Sequence, residues 1–104
     1  MAIIGTFTRN AKGFSGSLKT LTLAAKLQFV AETDKAKDSA PDYRVYLGTT
    51  EVGAAWKRTA RDSGREYWSV KLDDPAFAAP LYASLLEADD GEHFHLLWSR
   101  RNGD

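Results

Sequence analysis

Glu66-Tyr67-Trp68-Ser69-Val70-Lys71-Leu72 changes side-chain character at every step. Trp68, Val70 and Leu72 fall on one side of an extended chain, and Tyr67, Ser69 and Lys71 on the other. A half-buried strand requires this period of two. Asp73-Asp74-Pro75 ends the run, because proline lacks a ladder donor and restricts the residue before it. Asp62-Ser63-Gly64, within residues 59–65, reads as a hairpin loop. The strand it returns is 52–58, with Val52, Ala54 and Trp56 sharing a face.

The same period recurs outward from this hairpin. Residues 42–48 place Tyr43, Val45 and Leu47 on one side and Arg44 and Tyr46 on the other, and residues 48–51 turn into the next strand. Residues 26–32 carry Leu27, Phe29 and Ala31 on one face. Residues 3–9 are β-branched and aromatic, Asn10-Ala11-Lys12-Gly13 forms a turn, and residues 14–23 return. Gly16 marks a bulge or a close backbone approach in that return. Residues 81–88 have helix propensity behind Pro80, yet Asp89-Asp90-Gly91-Glu92 is a hairpin-type turn and 93–99 is aromatic-rich. A final hairpin of 81–88 with 93–99 is therefore expected. The connection 33–41 is charged and polar, the segment expected to move most. The fold class is all-β: a small antiparallel barrel or sandwich of seven to eight strands in one domain.

With 104 residues and 14 Lys+Arg against 14 Asp+Glu, the chain is neutral. Neutrality excludes a strongly basic histone-like protein and an acidic solvating tail. The balance is uneven along the chain, however. Residues 1–72 carry twelve basic and seven acidic side chains, and residues 73–104 two and seven. One fold can juxtapose these segments or segregate them onto two faces. The absence of cysteine excludes disulfides, thiolate nucleophiles and Cys-based zinc sites. No basic n-region precedes the short apolar start and no apolar run is long enough for a spanning helix, so a cytoplasmic protein without a membrane segment is expected.

Several separated motifs form a familiar set: Ile4-Gly5-Thr6-Phe7, Gly13-Phe14-Ser15-Gly16, Leu21-Thr22-Leu23, Ala40-Pro41-Asp42-Tyr43-Arg44-Val45 and Gly53-Ala54-Ala55-Trp56-Lys57. Residues 67–75, 80–85 and Leu97-Trp98-Ser99-Arg100 continue it. In this order and spacing they resemble the bacterial domain-of-unknown-function family 736. The resemblance implies small proteins of chromosomes and plasmids, often encoded near conjugative-transfer or integrative-element genes. It brings no catalytic residues.

The densest candidate site is basic and aromatic. Lys57, Arg58, Arg61 and Arg65 are bracketed by Trp56, Tyr67 and Trp68. Cations that track phosphates beside rings that stack on bases are what single-stranded nucleic acid binding uses. In a 52–58/66–72 hairpin, Lys57, Tyr67 and Lys71 are expected on one outward face, joined by Arg44 and Tyr46 if 42–48 lies alongside. The alternative is a solvated sheet face with cross-strand pairs, and Trp56, Trp68 and Trp98 in the core.

Catalytic readings are thinner. His93 and His95 point to one side of a strand near Asp89, Asp90 and Glu92, but no third ligand has a recognisable metal spacing. Asp73 and Asp74 face opposite ways and suit a turn better than acid–base work. Residues 13–16 lack the lysine of a phosphate loop. The expectation is a protein without cofactor or catalysis that binds a protein partner, with single-stranded nucleic acid as the alternative. A homodimer is expected to form, if at all, by pairing an edge strand, the first or the last.

Overall fold

The computed structural model describes residues 2–21, 23–33 and 40–98. Most of the 33–41 connection and Ser99, the end of the last predicted strand, lie outside the described residues. The elements are β1 (Ala2–Arg9), β2 (Gly13–Lys19), β3 (Ala24–Ala31), β4 (Tyr43–Leu47), β5 (Thr50–Thr59), β6 (Glu66–Leu72), β7 (Leu81–Glu87) and β8 (His93–Trp98). Each strand pairs antiparallel with the next, and β8 closes onto β1. The architecture is a closed up-and-down barrel, not a sandwich. Closure corrects the expected dimer geometry: β1 is laddered on both sides, to β2 and to β8, so neither end strand offers a free edge.

Residues 81–87 are strand because their alternation meets a partner on each side. Ala83 and Leu85 face inward opposite Val70 and Trp68, and these pairings override the segment's local helix propensity. Eight strands enclose a space just wide enough for side chains to fill. Phe7, Phe14, Phe29, Val45, Val70, Leu85 and Leu96 fill it, and no polar or charged residue is buried among the described residues. Gly16 is the close approach its position suggests. A Cβ there would lie 2.1 Å from the Thr6 carbonyl oxygen and 2.7 Å from Phe7 Cα.

One strand faces the other way from the sequence reading. Ala55 is fully buried opposite Val70, so Trp56 and Ala54 point outward and Lys57 takes the inward side. The cause is a bulge. Val45 lies opposite Gly53 but Tyr46 opposite Glu51, leaving Val52 as an extra residue. Val52 and Ala55, three positions apart, then both pack on the core. An alternation counted from Val52 therefore assigns Trp56 to the wrong side.

The interior is zoned along the barrel axis. At the upper end, which carries the β1–β2, β3–β4, β5–β6 and β7–β8 connections, Phe14 is the centre of an aromatic cluster. Its ring centroid lies 4.7 Å from Phe94, 5.3 Å from Trp68, 5.3 Å from Tyr43 and 6.1 Å from Phe29. At the lower end, which carries the β2–β3, β4–β5 and β6–β7 connections, the filling is aliphatic: Leu18, Leu27 and Leu72, flanked by Leu23, Val52 and Phe77.

Candidate functional site

The ladder registers set the outward residues of β5 to β8 into rows. Trp56 lies opposite Ser69, Ser69 opposite Ser84, Ser84 opposite Leu97 and Leu97 opposite Ile3 of β1. Towards the upper end stand Arg58 opposite Tyr67, and Leu86 opposite His95. Towards the lower end, Ala54 lies opposite Lys71, and Lys71 opposite Tyr82. This outer wall thus presents Trp56, Tyr67, Tyr82, Leu86, Leu97 and Ile3. Ile3 is 57% and Tyr82 45% exposed. The residues between Trp56 and Leu97 in the central row are the small, half-buried Ser69 and Ser84.

The wall on the other side of the barrel has different chemistry. Thr6 lies opposite Ser17 and Ser17 opposite Lys26, while Thr8 lies opposite Ser15 and Ser15 opposite Gln28. Those positions are polar throughout, the usual solvated face of a sheet.

The predicted site residues divide between the two ends and the wall. All on the aromatic wall, Arg58 and Tyr67 lie on the upper side of the Trp56 row and Lys71 on its lower side. Arg44 stands in the row of Lys71, one strand beyond Ala54. Its guanidinium pairs with Glu32 and, at 2.9 Å, with Glu51. Those two carboxylates raise its pKa further and compensate its charge. Tyr46 lies opposite Glu51 on one side and Gln28 on the other, away from the wall. Lys57 does not join Tyr67 and Lys71. It takes the inward side at the upper mouth, where Nζ lies 3.1 Å from Glu66 Oε2 and its backbone N–H donates to Asp42 Oδ2 at 2.8 Å.

Arg61 and Arg65 sit on the exposed β5–β6 loop. The Arg65 guanidinium donates to the Glu87 carbonyl, and Arg58 donates to the Lys57 carbonyl at 3.2 Å. The basic loop and the acidic 88–92 turn share the upper end, so the two charge-rich segments are juxtaposed there.

His93 and His95 both point outward, since Phe94 and Leu96 are buried. His93 Nδ1 lies 2.6 Å from Asp90 Oδ2. Asp90 Oδ1 accepts the backbone N–H groups of His93 at 2.9 Å and Glu92 at 2.8 Å. These hydrogen bonds, then the His93 ring, hold the Asp90 carboxyl well below its usual range. Among the described residues no three His, Asp or Glu side chains converge on a point that a metal ion would occupy. Asp73 and Asp74 serve the β6–β7 connection: Asp73 Oδ1 accepts the Asp74 amide at 3.0 Å, and Asp74 Oδ2 the Ala76 amide at 2.9 Å.

Leu86, Leu97, Tyr82 and Ile3 are wall residues the sequence did not single out, and Trp56 is outward where its strand alternation pointed inward. Their alternation was readable strand by strand, but their alignment depends on registers and on the Val52 bulge.

The fold and this face define a small closed β-barrel protein with one aromatic outer wall. Residues 3–101 match the family model described as "Protein of unknown function (DUF736)", and the chain belongs to that family. No curated protein and no solved structure matches the chain.

Proposed function

We propose that the chain works without catalysis, by binding a protein partner through the outer wall of β5 to β8. The observation that carries this reading is the row from Trp56 through Ser69 and Ser84 to Leu97 and Ile3. Trp, Tyr and Arg dominate the energetic centres of protein interfaces, and this wall offers exposed Ile3 and Tyr82 beside half-buried Trp56, Tyr67, Leu86 and Leu97. Arg58 and Lys71 supply a polar rim. The family resemblance points to a component of a transfer apparatus or of a host system as the partner.

A second reading has one observation in its favour: Arg58 and Lys71 stand among Trp56, Tyr67 and Tyr82, an arrangement that single-stranded nucleic acid exploits. Leu86, Leu97 and Ile3 favour protein, because aliphatics offer bases no stacking face. Two cations also give only a shallow salt dependence, a slope of about −1.4 in log affinity against log salt.

Affinity capture from host lysate tests the main reading with three proteins: the wild type, Trp56→Glu, and Gln28→Glu on the polar wall. A stoichiometric partner retained by wild type and Gln28→Glu and lost by folded Trp56→Glu supports it. Equal capture by all three, or capture by none, contradicts it. Fluorescence anisotropy with single-stranded oligonucleotides at low salt checks the second reading, which requires binding that Tyr67→Ala weakens.

A further inference from the structure

We infer that the lower end of the barrel is a self-association face, on which each of two copies seats the Leu21 side chain of the other. This face is separate from the aromatic wall. Its centre is a hollow of about 150 Å³, lined chiefly by Leu18, Leu23, Leu27, Leu47, Val52 and Phe77. Asp74, the charged residue at its margin, turns Oδ2 to the Ala76 amide. An apolar cavity of roughly 150 Å³ holds one benzene-sized group, so the hollow matches a single leucine side chain.

A leucine is presented at the same end. Leu21 lies in the β2–β3 turn and is 101% exposed, so it packs on nothing of its own barrel. The turn is pinned by the Thr20 amide donating to the Leu23 carbonyl at 2.7 Å, and by the Leu23 amide donating to Thr20 Oγ1 at 3.2 Å. Hydrogen bonds on both sides of Leu21 make it a pre-organised knob, which lowers the entropy lost on docking.

The positions of knob and rim charges fit a two-fold axis. β2 and β6 stand four apart in a ring of eight, so the β2–β3 turn and the β6–β7 connection lie on opposite sides of the end face. A two-fold axis across that face lays the turn of one copy over the hollow and β6–β7 connection of the other, and reciprocally. Lys19, beside the turn, then meets Asp73 of the second copy, and both are exposed. The face therefore has an apolar centre and a rim of opposite charges that match under the symmetry. The molecule is close to 30 Å across (33 × 31 × 29 Å). An end face of that width offers roughly 700 Å² per copy, near the ~800 Å² per partner of a standard interface. A closed barrel has no strand edge to share, so side-chain packing of this kind is the route open to it.

Sedimentation velocity on the full chain at high micromolar concentration tests the inference. The wild type is expected at twice its 11.5 kDa mass. Leu21→Glu changes an exposed turn residue, leaves the fold intact, and should raise the dimer Kd by roughly a hundredfold. Lys19→Glu and Asp73→Lys should each weaken the dimer several-fold, and the two together restore it. A wild-type monomer overturns the inference. So does a dimer that survives Leu21→Glu. If such a dimer is instead broken by Trp56→Glu, the second copy belongs to the aromatic wall, and only the lower-end inference fails.

Discussion

The two ends of this barrel are built from the same ladder and the same inward alternation, yet they differ in the chemistry that lines them. At the upper end the interior is aromatic, and the Arg9 guanidinium lies over the rings of Phe14 at 5.2 Å and Phe94 at 5.3 Å. Polar side chains at that rim find partners: Lys57 with Glu66, His93 with Asp90, and Arg65 with the Glu87 carbonyl. At the lower end the filling is aliphatic, Leu21 and Leu47 stay exposed, and an apolar hollow opens between the strands. The upper rings meet beneath a mouth lined by Arg9, Asp42, Lys57 and Glu66, whereas the lower hollow is lined almost wholly by apolar side chains. One end opens on charged and polar side chains, and the other on apolar ones.

The contrast makes unequal predictions for core truncations. Phe14→Ala removes the centre of the upper aromatic cluster and should destabilise the fold by about 3–5 kcal/mol in chemical denaturation. Gly16→Ala forces a methyl group into the Thr6 carbonyl and should cost about 1–3 kcal/mol by the same measurement. Phe77→Ala at the half-open lower end should cost less than Phe14→Ala, about 1–2 kcal/mol, because part of that ring already meets solvent. Equal losses for Phe14→Ala and Phe77→Ala would break the distinction between the ends. Arg9→Gln deletes the charge over the upper rings and should lower stability by about 0.5–1 kcal/mol.

The smallest effect is one of pH. Asp90 is held below its ordinary pKa in the folded state by the amides of His93 and Glu92. A depressed folded pKa contributes stability above the unfolded value, about 3.9, and that contribution fades as pH falls towards the folded value. Asp90→Asn should therefore be less stable than wild type at neutral pH, with the difference shrinking below about pH 4. Thermal melts across that range measure it. A difference that grows in acid would mean Asp90 is not held as its contacts indicate.

Legibility in the sequence followed the range of the physics. Alternation in 66–72, 42–48 and 26–32 is local, and it gave the strands and their buried sides. Tyr67 and Lys71 were read outward for that reason. Trp56 and Lys57 exchanged sides because a bulge at Val52 inserts one residue into the count, and its cause lies in the pairing with β4. The closure of β8 on β1 joins opposite ends of the chain, so no local pattern signalled it. Leu86, Leu97 and Ile3 form a surface with Trp56 only after that closure.

The aromatic wall is the surface proposed to meet the partner. Photo-crosslinking in the native host checks this, with the reactive amino acid placed in turn at Ser84 in the central row of the wall and at Ser15 on the polar wall. A discrete protein adduct is expected from position 84 and none from position 15. Adducts of the same pattern from both positions, or none from position 84, would contradict it.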